Sequence, residues 1–381
     1  MDVFHVNDAH IAYRHRRGLV RTIVFANSLG SDQSIWDRVI AALPGGYGIV
    51  TYDLRGHGLS SGVADTIEGL ADDVSQLIDH LDLQDVLFCG VSIGGMIGQV
   101  LAAKRPDVIR GAVLCNTAPR IGTNERWQTR IDAVEQSGVR GIAADIIGTW
   151  FGAEYTKNKD RLAQHQTMVA RSDDAGYIAA CRSIRDADLR TFASNIAVPT
   201  LCVGGTEDQS VPPALVEELA QLIPGATVEV LEGVGHLPCL EVPGELAKLL
   251  EAFDPVVADA EAGTRVRRAV LGDAHVDRAS ASVTPLDAAF QQLITTGAWG
   301  QVWNSPGISS RERSMLTLAL LAATGNFEEI PMHVRATART GASARDITEA
   351  IQHVAIYAGV PRANHALKLV KETLAKMTPN E

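Results

Sequence analysis

Cysteine and aromatic residues are scarce in this 381-residue chain, and no apolar run approaches the length that spans a membrane. The five cysteines all precede residue 255 and have no spacing typical of a disulfide framework, which favours reduced thiols in a cytoplasm. Basic residues are also in deficit, 34 against 45 acidic ones, and the formal charge is −11. This balance disfavours nucleic acid or an anionic membrane as a partner, so an acidic small molecule must be bound by locally placed arginine or lysine.

The order of apolar and polar residues predicts two different architectures along the chain. Residues 20–116 alternate short apolar runs with helical patterns, which predicts an α/β fold with a doubly wound, mostly parallel sheet. From about 118 to 190 only helical patterns remain, and we expect a helical cap over the carboxyl ends of the strands. Two further apolar runs, at residues 199–205 and 226–231, return to the strand pattern.

A stretch rich in alanine and acidic residues, at 254–263, marks the predicted boundary between two domains. We place the first domain at residues 1–255 and the second at 263–381. The second shows helical patterns throughout, with Ser309 and Glu312 spaced as a capping box. We therefore expect a C-terminal all-α domain of about five helices.

Ser92 is the candidate nucleophile, because it is the central residue of a Gly-x-Ser-x-Gly pattern. The pattern follows the apolar run 86–89 and precedes a helical pattern, the strand–turn–helix order in which such a serine is exposed on a sharp turn. Gly90 and Gly94 leave room where a Cβ would clash, and the N-terminus of the next helix favours an oxyanion. The pattern alone also occurs in unrelated proteins, so a base and an orienting acid are required in addition.

Asp208 and His236 follow Ser92 in the order expected for the acid and the base of a catalytic triad. Asp208 comes just after the apolar run 199–205, and His236 lies on the loop after the next run. Each position alone would fit an ordinary loop residue, whereas the order of all three favours a triad. Glu207 is a neighbouring acid and stays an alternative on this pattern alone.

Residues 1 to about 255 resemble the α/β-hydrolase family, and the segment Asn27-Ser28-Leu29-Gly30 resembles the 3-oxoadipate enol-lactonases within it. The resemblance implies that Asp208, rather than Glu207, is the acid of the triad. Another stretch typical of the family contains His57, which we interpret as a structural loop residue and not as a second base.

The resemblance also implies how a small anionic lactone would be held. The backbone N–H groups of Leu29 and Ile93 would form the oxyanion hole. A free carboxylate on the substrate requires a cation, and Arg130 and Trp150 of the cap are the candidate substrate-binding residues. The competing cations in the cap are Arg171 and Arg182.

Polar side chains recur at four-residue spacing on two predicted helices of the second domain. Glu329 and His333 are expected on one face of a helix, and His353 and Tyr357 repeat the spacing on the next long helix. Such a stripe among apolar neighbours is compatible with a pocket between helices. It is equally compatible with surface pairs and with a histidine that only packs, so the spacing alone does not define a site.

Residues from about 263 to 377 resemble the carboxymuconolactone decarboxylase family. Peroxide-reducing members of the wider superfamily have a Cys-x-x-Cys pair before the equivalent of His333. Here those positions are Asn326 and Glu329, which excludes disulfide exchange. The resemblance therefore implies the decarboxylase branch, with neither a metal nor another cofactor. The matching stretches are 270–276, 298–303, 311–314, 329–335 and 357–361.

The second resemblance implies roles for five residues. His333 would be the general acid, oriented by Glu329. Arg313, His353 or Tyr357 would bind the oxyanion or the acetate arm of the substrate. A metal site formed by His333, Glu329 and His353 is the alternative for this domain.

Together the two resemblances imply a bifunctional enzyme that acts on small-molecule lactones. The second domain would decarboxylate 4-carboxymuconolactone to 3-oxoadipate enol-lactone, and the first would hydrolyse that lactone to 3-oxoadipate through an acyl-enzyme on Ser92. Decarboxylase relatives assemble as rings, so a homo-oligomer held by the second domain is expected. Two alternatives are a generic carboxylesterase with a helical oligomerisation module and a binding protein on a hydrolase scaffold.

Overall fold

The computed structural model describes residues 1–6, 9–18, 21–253 and 260–377, which form two compact units. One unit lies within the residues up to 253, and the other is formed chiefly by the residues from 260 onward. The predicted linker at 254–263 falls largely outside the described residues. The exact domain boundary therefore stays a prediction.

A single eight-stranded sheet forms the centre of the first unit. Its strands are β1 (Asp2–Val6), β2 (Ala9–Arg16), β3 (Thr22–Ala26), β4 (Gly48–Tyr52), β5 (Val86–Val91), β6 (Ile109–Cys115), β7 (Thr200–Gly205) and β8 (Thr227–Leu231). Their order across the sheet is β1-β2-β4-β3-β5-β6-β7-β8. The pairs β1–β2 and β2–β4 are antiparallel, and all later pairs are parallel. The predicted mostly parallel sheet is confirmed.

The position of each strand in the sheet explains which strands the sequence predicted. All six residues of β5 are buried, because β5 lies between β3 and β6 in the middle of the sheet. A central parallel strand therefore has a continuous apolar run. The edge strand β1 is mostly exposed and has no such run, and neither β1 nor its partner β2 was predicted.

Ten α-helices accompany this sheet in the described residues. They are α1 (Asp37–Ala42), α2 (Ile67–His80), α3 (Ile93–Lys104), α4 (Asn124–Gly148), α5 (Lys159–Val169), α6 (Asp174–Asp186), α7 (Arg190–Ser194), α8 (Pro213–Leu222), α9 (Pro238–Glu241) and α10 (Pro243–Phe253). Helices α4 to α7 lie between β6 and β7 in the chain and form the predicted helical cap. Gly138, at φ 67°, interrupts the helical path of α4.

The second unit is all-α in the described residues. Its α-helices are α11 (Ala260–Leu271), α12 (Asp273–Ala281), α13 (Ala288–Leu293), α14 (Ser310–Thr324), α15 (Ile330–Thr340), α16 (Ala344–Tyr357) and α17 (Val360–Leu374), with a π-helix at Ile294–Trp303. The expectation of about five helices was too low, partly because Gly272, at φ 85°, separates α11 from α12. The capping box of Ser309 and Glu312 begins α14 as predicted.

Helix α15 contributes to two hydrophobic clusters in this unit. Val334 packs with buried residues of α14, α16 and α17. Ala336 packs with a second cluster from α11, α12 and the π-helix, which includes Trp299 and Trp303. Residues on the second face of α15 therefore lie close to α11, α12 and the π-helix.

The described ranges contain no helix that is both long and apolar enough to cross a membrane. All five cysteines are buried and free. They lie in or beside the first unit's core and give no disulfide to the fold.

Candidate active sites

Ser92 lies on a sharp turn between β5 and α3. Its backbone has φ 60° and ψ −119°, a conformation that is strained for any residue with a side chain. The turn is tight, because a Cβ on Gly90 would lie 2.2 Å from the Gly94 carbonyl oxygen. A Cβ on Gly94 would lie 2.3 Å from the carbonyl oxygen of Ala26. Both glycines are therefore required, as predicted for a nucleophile turn.

His236 and Asp208 form a buried pair on the loops after β8 and β7. The Nδ1 atom of His236 lies 2.7 Å from Oδ2 of Asp208. Ser92, Asp208 and His236 are 6%, 4% and 3% exposed. Because Nδ1 faces the carboxylate, Nε2 is the ring nitrogen left to accept the proton of Ser92, which lines the same cavity as His236.

Hydrogen bonds keep Asp208 ionised despite its burial. Burial alone would raise the pKa of Asp208, but His236 and hydrogen bonds from Asn116 and the Val211 N–H hold it below its ordinary value. The backbone N–H groups of Ser210 and Val211 donate to Oδ1 at 2.7 and 3.0 Å. A carboxylate fixed in this way orients the imidazole and favours its protonated form during the reaction.

Two residues settle which acid faces His236 and how its loop is held. Glu207 points to the cap instead, where the N–H of Ala153 donates to its Oε2 at 2.5 Å. Asn116, which the sequence analysis did not select, donates from Nδ2 to Asp208 at 2.9 Å and to the Gly235 carbonyl at 3.1 Å. Its location just past the end of β6, where sites of open α/β sheets form, was the available signal.

The expected oxyanion hole lies beside Ser92. Ile93 is the first residue of α3, so its N–H is one of the donors that a helix N-terminus leaves without an intrahelical partner. Leu29 lines the same cavity as Ser92. The loop that contains Leu29 is pinned by Asn27, which donates to the Tyr52 carbonyl at 2.8 Å and accepts from Trp36 Nε1 at 2.9 Å.

His57, interpreted as structural, is fully enclosed away from this cavity. Its Nδ1 lies 2.9 Å from the carbonyl oxygen of Arg55, and its ring packs 6.2 Å from that of Tyr177 between centroids. Burial lowers its pKa, so the ring is neutral near pH 7. The contacts stabilise the loop after β4.

Two arginines of α4 line the cavity opposite Ser92. Arg130 was a predicted candidate, whereas Arg126, one helical turn earlier, was missed. Burial and the charge of Arg130 lower the pKa of Arg126, and Asp208 opposes them, but a guanidinium stays charged at neutral pH. Within the described part of the chain neither arginine forms an ion pair, and Arg130 lies over the Trp127 ring at 5.6 Å. The cavity therefore offers positive charge to an anion.

The other predicted cap residues have different surroundings. Trp150 is buried, lines the cavity, and accepts a hydrogen bond from the His236 N–H at 2.7 Å. Arg171 lines separate cavities away from Ser92. Arg182 is exposed on α6 and pairs with Glu135 at 3.9 Å. Neither competing arginine is in place to contact a substrate at Ser92.

Glu241 connects the cap to the loop of His236. Its carboxylate accepts hydrogen bonds from the N–H of Gly152, in the cap, and from the N–H of Gly235, both at 2.9 Å. Burial raises the pKa of Glu241 to about 7. This side chain therefore fixes Trp150 and His236 relative to one another.

Replacing Glu241 with alanine is expected to lower the free energy of unfolding of the first unit by about 2 kcal/mol, because two buried N–H groups lose their acceptor. Urea unfolding measures the change, with the remaining esterase activity as the signal of the folded state. The exposed Glu217→Ala on α8 is the control and should change stability by less than about 0.5 kcal/mol. Equal midpoints for both variants would show that Glu241 does not hold the cap.

The same variant tests the titration of Glu241. In the folded protein its pKa is raised from 4.5 to about 7, so the unfolded chain ionises first as pH rises. The contribution of Glu241 to the free energy of unfolding therefore falls as the pH rises from about 4.5 to about 7. Glu241→Ala removes that contribution and should flatten the fall in stability from pH 5 to pH 7.

His333 is the central titratable group of the second unit. Its ring stacks on that of Trp303 with centroids 6.4 Å apart. Burial lowers the pKa of His333 to about 4, and the neighbouring His275 lowers it in the same direction. The imidazole is therefore neutral near pH 7 before a ligand binds.

Glu329 does not share a helix with His333, which corrects the expected arrangement. It ends a one-turn 3₁₀ helix, Phe327–Glu329, and precedes the first residue of α15. Pro331, in the first turn, fixes the start of the helix there. The Glu329 carboxylate acts instead on His275, whose pKa it raises against the stronger effects of burial and nearby arginines.

The remaining predicted residues of this unit have contacts that do not involve His333. His353 and Tyr357 stack on one another at 6.2 Å on the outer face of α16, and Tyr357 is 84% exposed. Four-residue spacing placed them on one face correctly, but that face is turned to solvent. Arg313 donates to the Ser305 carbonyl at 2.7 Å, just after the π-helix.

The metal alternative for the second unit has no support in the described ranges. Nowhere in them do three or more His, Cys, Asp or Glu side chains converge as a metal ion would require. Glu329 and His353 are both exposed and belong to different elements, the 3₁₀ helix before α15 and helix α16.

The fold is that of an α/β hydrolase, with Ser92, His236 and Asp208 located on the loops where the triad was predicted. Residues 21–243 match the alpha/beta hydrolase fold family, and residues 288–372 match the carboxymuconolactone decarboxylase family. The chain belongs to the first family through its larger unit and to the second through its C-terminal helical unit.

Individual relatives match the two units separately. "3-Oxoadipate enol-lactonase 1" of Acinetobacter baylyi is 33% identical over 61% of this chain and 87% of its own. The crystal structure of the enol-lactonase from Burkholderia xenovorans LB400 has 37% identity and a TM-score of 0.64, over 66% of this chain and 99% of that one. The "4-carboxymuconolactone decarboxylase" of A. baylyi is 38% identical over 29% of this chain and 82% of its own.

Proposed function

We propose that this chain catalyses two consecutive reactions. The helical unit decarboxylates 4-carboxymuconolactone to 3-oxoadipate enol-lactone, and the α/β-hydrolase unit hydrolyses that lactone to 3-oxoadipate. The observation that carries the proposal is the presence in one chain of an enol-lactonase-like unit, with Ser92 beside the His236–Asp208 pair, and a decarboxylase-family unit. The product of the second unit is the substrate of the first, which explains why they are joined.

Hydrolysis proceeds through Ser92. His236 Nε2 accepts the hydroxyl proton as the oxygen attacks the lactone carbonyl, and Asp208 stabilises the imidazolium that results. The N–H groups of Leu29 and Ile93 hold the oxyanion. The ring oxygen leaves as an enol, takes its proton from His236 and becomes a ketone, after which water releases the acid from the acyl-enzyme.

The free carboxylate of the lactone is held by the arginines of α4. Arg126 and Arg130 are one turn apart, face the same cavity, and have no carboxylate partner in the described residues. Charge-assisted hydrogen bonds from guanidinium groups suit a carboxylate. Such contacts are made equally in the ground state and the transition state, so they act mainly on substrate binding.

Replacing either arginine with glutamine is expected to raise KM for the enol-lactone about 10- to 100-fold, with a much smaller fall in kcat. Steady-state hydrolysis of the lactone measures both constants. Arg182→Gln removes a positive charge from the cap outside the cavity and should leave KM within about twofold. An effect of Arg182→Gln as large as that of Arg126→Gln would contradict the assignment.

Decarboxylation needs no electron sink beyond the substrate itself. The leaving carboxylate sits on the ring carbon conjugated through the alkene to the lactone carbonyl, so loss of CO2 gives a furan-like dienolate. A proton must then be added to the ring carbon next to the carbonyl. His333 is the general acid, and its apolar surroundings beside Trp303 desolvate the departing carboxylate. No metal or other cofactor takes part.

The experiment that tests both activities is to supply 4-carboxymuconolactone to the purified chain. We expect release of CO2 and formation of 3-oxoadipate, and NMR spectra recorded during the reaction detect the 3-oxoadipate. A generic carboxylesterase would hydrolyse a simple acyl ester faster than the enol-lactone and would release no CO2. A binding protein on this scaffold would do neither, so the two product signals together with hydrolysis of a simple acyl ester distinguish all three functions.

The setting of the enzyme completes the proposal. Free buried cysteines and the similar metabolic relatives favour the cytoplasm. A homo-oligomer held by the helical unit is expected, because α14 and α16 present Leu316, Leu320 and Ile356 to solvent. Nucleic acid and membranes are not partners, in keeping with the net charge of −11.

A further inference from the structure

Arg267, His275 and His333 belong to three helices, α11, α12 and α15, and the residue next to each of them (Val266, Val276 and Met332) packs into one hydrophobic cluster. Burial lowers the pKa of His275, and the guanidinium of Arg267 lowers it further. His275 in turn lowers the pKa of His333. Arg278 and Arg335 add positive charge around His275, and Glu329 opposes them. The three side chains therefore form one cluster in which positive charge predominates.

This cluster contains buried polar atoms that the protein does not satisfy. Arg267 Nε and His333 Nδ1 are both inaccessible, and neither has a hydrogen-bond partner in the described ranges. Burial also lowers the pKa of Arg267, which remains charged at neutral pH. A buried donor without an acceptor is unfavourable in the free protein, and a bound ligand with acceptor oxygens would satisfy it. The chemistry of the group points to an anionic ligand.

We propose that Arg267 and His275 hold the two carboxylates of a succinate-like dianion against His333, and that the bound dianion brings a proton from solvent onto the His333 imidazole. The inference rests on the proposed decarboxylation. It assigns binding roles to two residues for which the sequence analysis proposed none. The cluster thereby becomes the substrate site of the helical unit.

The proposed substrate has the matching shape. In 4-carboxymuconolactone one ring carbon bears both the leaving carboxylate and the acetate arm, so the two carboxylates are spaced as in succinate. Two neighbouring cationic or N–H donor groups suit such a pair. Arg267 would bind the acetate arm, which is retained, and His275 would donate to the carboxylate that leaves.

The dianion also resolves how a neutral histidine becomes an acid. A negative charge beside a histidine favours its protonated form, so the bound dianion raises the pKa of His333 from about 4 toward neutrality. The C–C bond then breaks, its electron pair enters the ring, and CO2 leaves. The His333 proton forms the new C–H bond. A dianion and an imidazolium thus give a monoanion, CO2 and a neutral imidazole.

The change in charge favours release of the product. The enol-lactone retains a single carboxylate, so the cluster loses the hydrogen bond from His275 when CO2 departs and keeps only the ion pair with Arg267. His333 returns to its neutral form at the same time. The site therefore binds the substrate more tightly than the product, and each new dianion reloads the proton.

Calorimetric titration of the full chain with succinate at pH 7, in HEPES and in Tris, tests the coupling. Because the two buffers differ in ionisation enthalpy, the difference in heat gives the number of protons taken up. We expect uptake that approaches one proton per bound succinate in the wild type and little in His333→Asn. Propionate, with a single carboxylate, should bind more weakly and cause less uptake. No binding of succinate, or equal uptake in wild type and variant, would overturn the proposal.

Kinetics of Arg267 variants supply a second readout. Arg267→Gln should raise KM for 4-carboxymuconolactone about 10- to 100-fold with a smaller effect on kcat, and Arg267→Lys, which keeps the charge, should recover part of the loss. The exposed Arg345→Gln on α16 makes the same change in net charge and should stay within about twofold of wild type.

These results separate the inference from the function on which it rests. If the wild type releases no CO2 from 4-carboxymuconolactone, the proposed decarboxylation itself is wrong. If the wild type decarboxylates and Arg267→Gln leaves KM unchanged, only the assignment of the carboxylate site is wrong. If Arg267→Gln loses its helical CD signal, it is not folded, and KM is then compared between the wild type and Arg267→Lys.

Discussion

Replacing Ser92 with alanine is expected to stop lactone hydrolysis and to leave decarboxylation intact, so that 3-oxoadipate enol-lactone accumulates. The fall in kcat should be about 10⁴-fold or more, because the acyl-enzyme cannot form without the hydroxyl. Supplying 4-carboxymuconolactone to both proteins and following enol-lactone and 3-oxoadipate by NMR measures the effect. A sample without enzyme corrects for spontaneous opening of the strained lactone.

The matched control is Ser194→Ala, on an exposed position of α7. It also removes one serine hydroxyl from the first unit, and the variant should produce 3-oxoadipate at the wild-type rate. If Ser92→Ala still forms 3-oxoadipate as fast as the wild type, the nucleophile lies elsewhere. If the variant releases no CO2 either, decarboxylation depends on the hydrolase unit, contrary to two independent sites.

The geometry explains why such a large effect is expected from one oxygen atom. Ser92 is held at φ 60° by a turn that tolerates only glycine at positions 90 and 94. His236 is fixed by Asp208, and Asp208 is fixed by Asn116 and two backbone N–H groups. These contacts position the catalytic groups around a single hydroxyl. Once that hydroxyl is removed, their positioning contributes little to the rate.

The first unit was largely predictable from sequence because its signals are local. A nucleophile turn needs glycines at fixed offsets, and central parallel strands need continuous apolar runs, so Ser92 and β5 are visible in the residues themselves. Strand β1 forms the edge of the sheet and β2 lies next to it, and both mix apolar with polar residues, which makes their pattern weak. Arg126 was missed because a charged residue on a cap helix looks like any exposed arginine.

The second unit was less predictable because its site depends on packing between helices. Four-residue spacing shows that His353 and Tyr357 share a face, but not whether another helix covers that face. Glu329 was separated from His333 by a helix start at Ile330 that a spacing argument does not contain. Arg267 and His275 come together because α11 packs against both α12 and α15.

Replacing His333 with asparagine is expected to lower the rate of decarboxylation about 10²- to 10⁴-fold, the usual contribution of a positioned general acid. Hydrolysis of added enol-lactone should stay within about twofold of wild type, and an unchanged helical CD signal shows that the second unit is folded. Release of CO2 from 4-carboxymuconolactone measures the first reaction. His353→Asn, on the exposed face of α16, is the matched control and should change neither reaction by more than about threefold.

The pH dependence of decarboxylation by the wild type tests the role of His333 independently. Free His333 has a pKa of about 4, so above that pH each productive binding event must take up a proton, and kcat/KM for decarboxylation should fall as pH rises through neutrality. In the complex the dianion raises the pKa of His333, so kcat should stay constant to a higher pH before it falls. Asparagine does not titrate in this range, and the residual activity of His333→Asn should lose both features. A wild-type profile in which kcat/KM is flat from pH 5 to pH 8 would remove His333 as the acid.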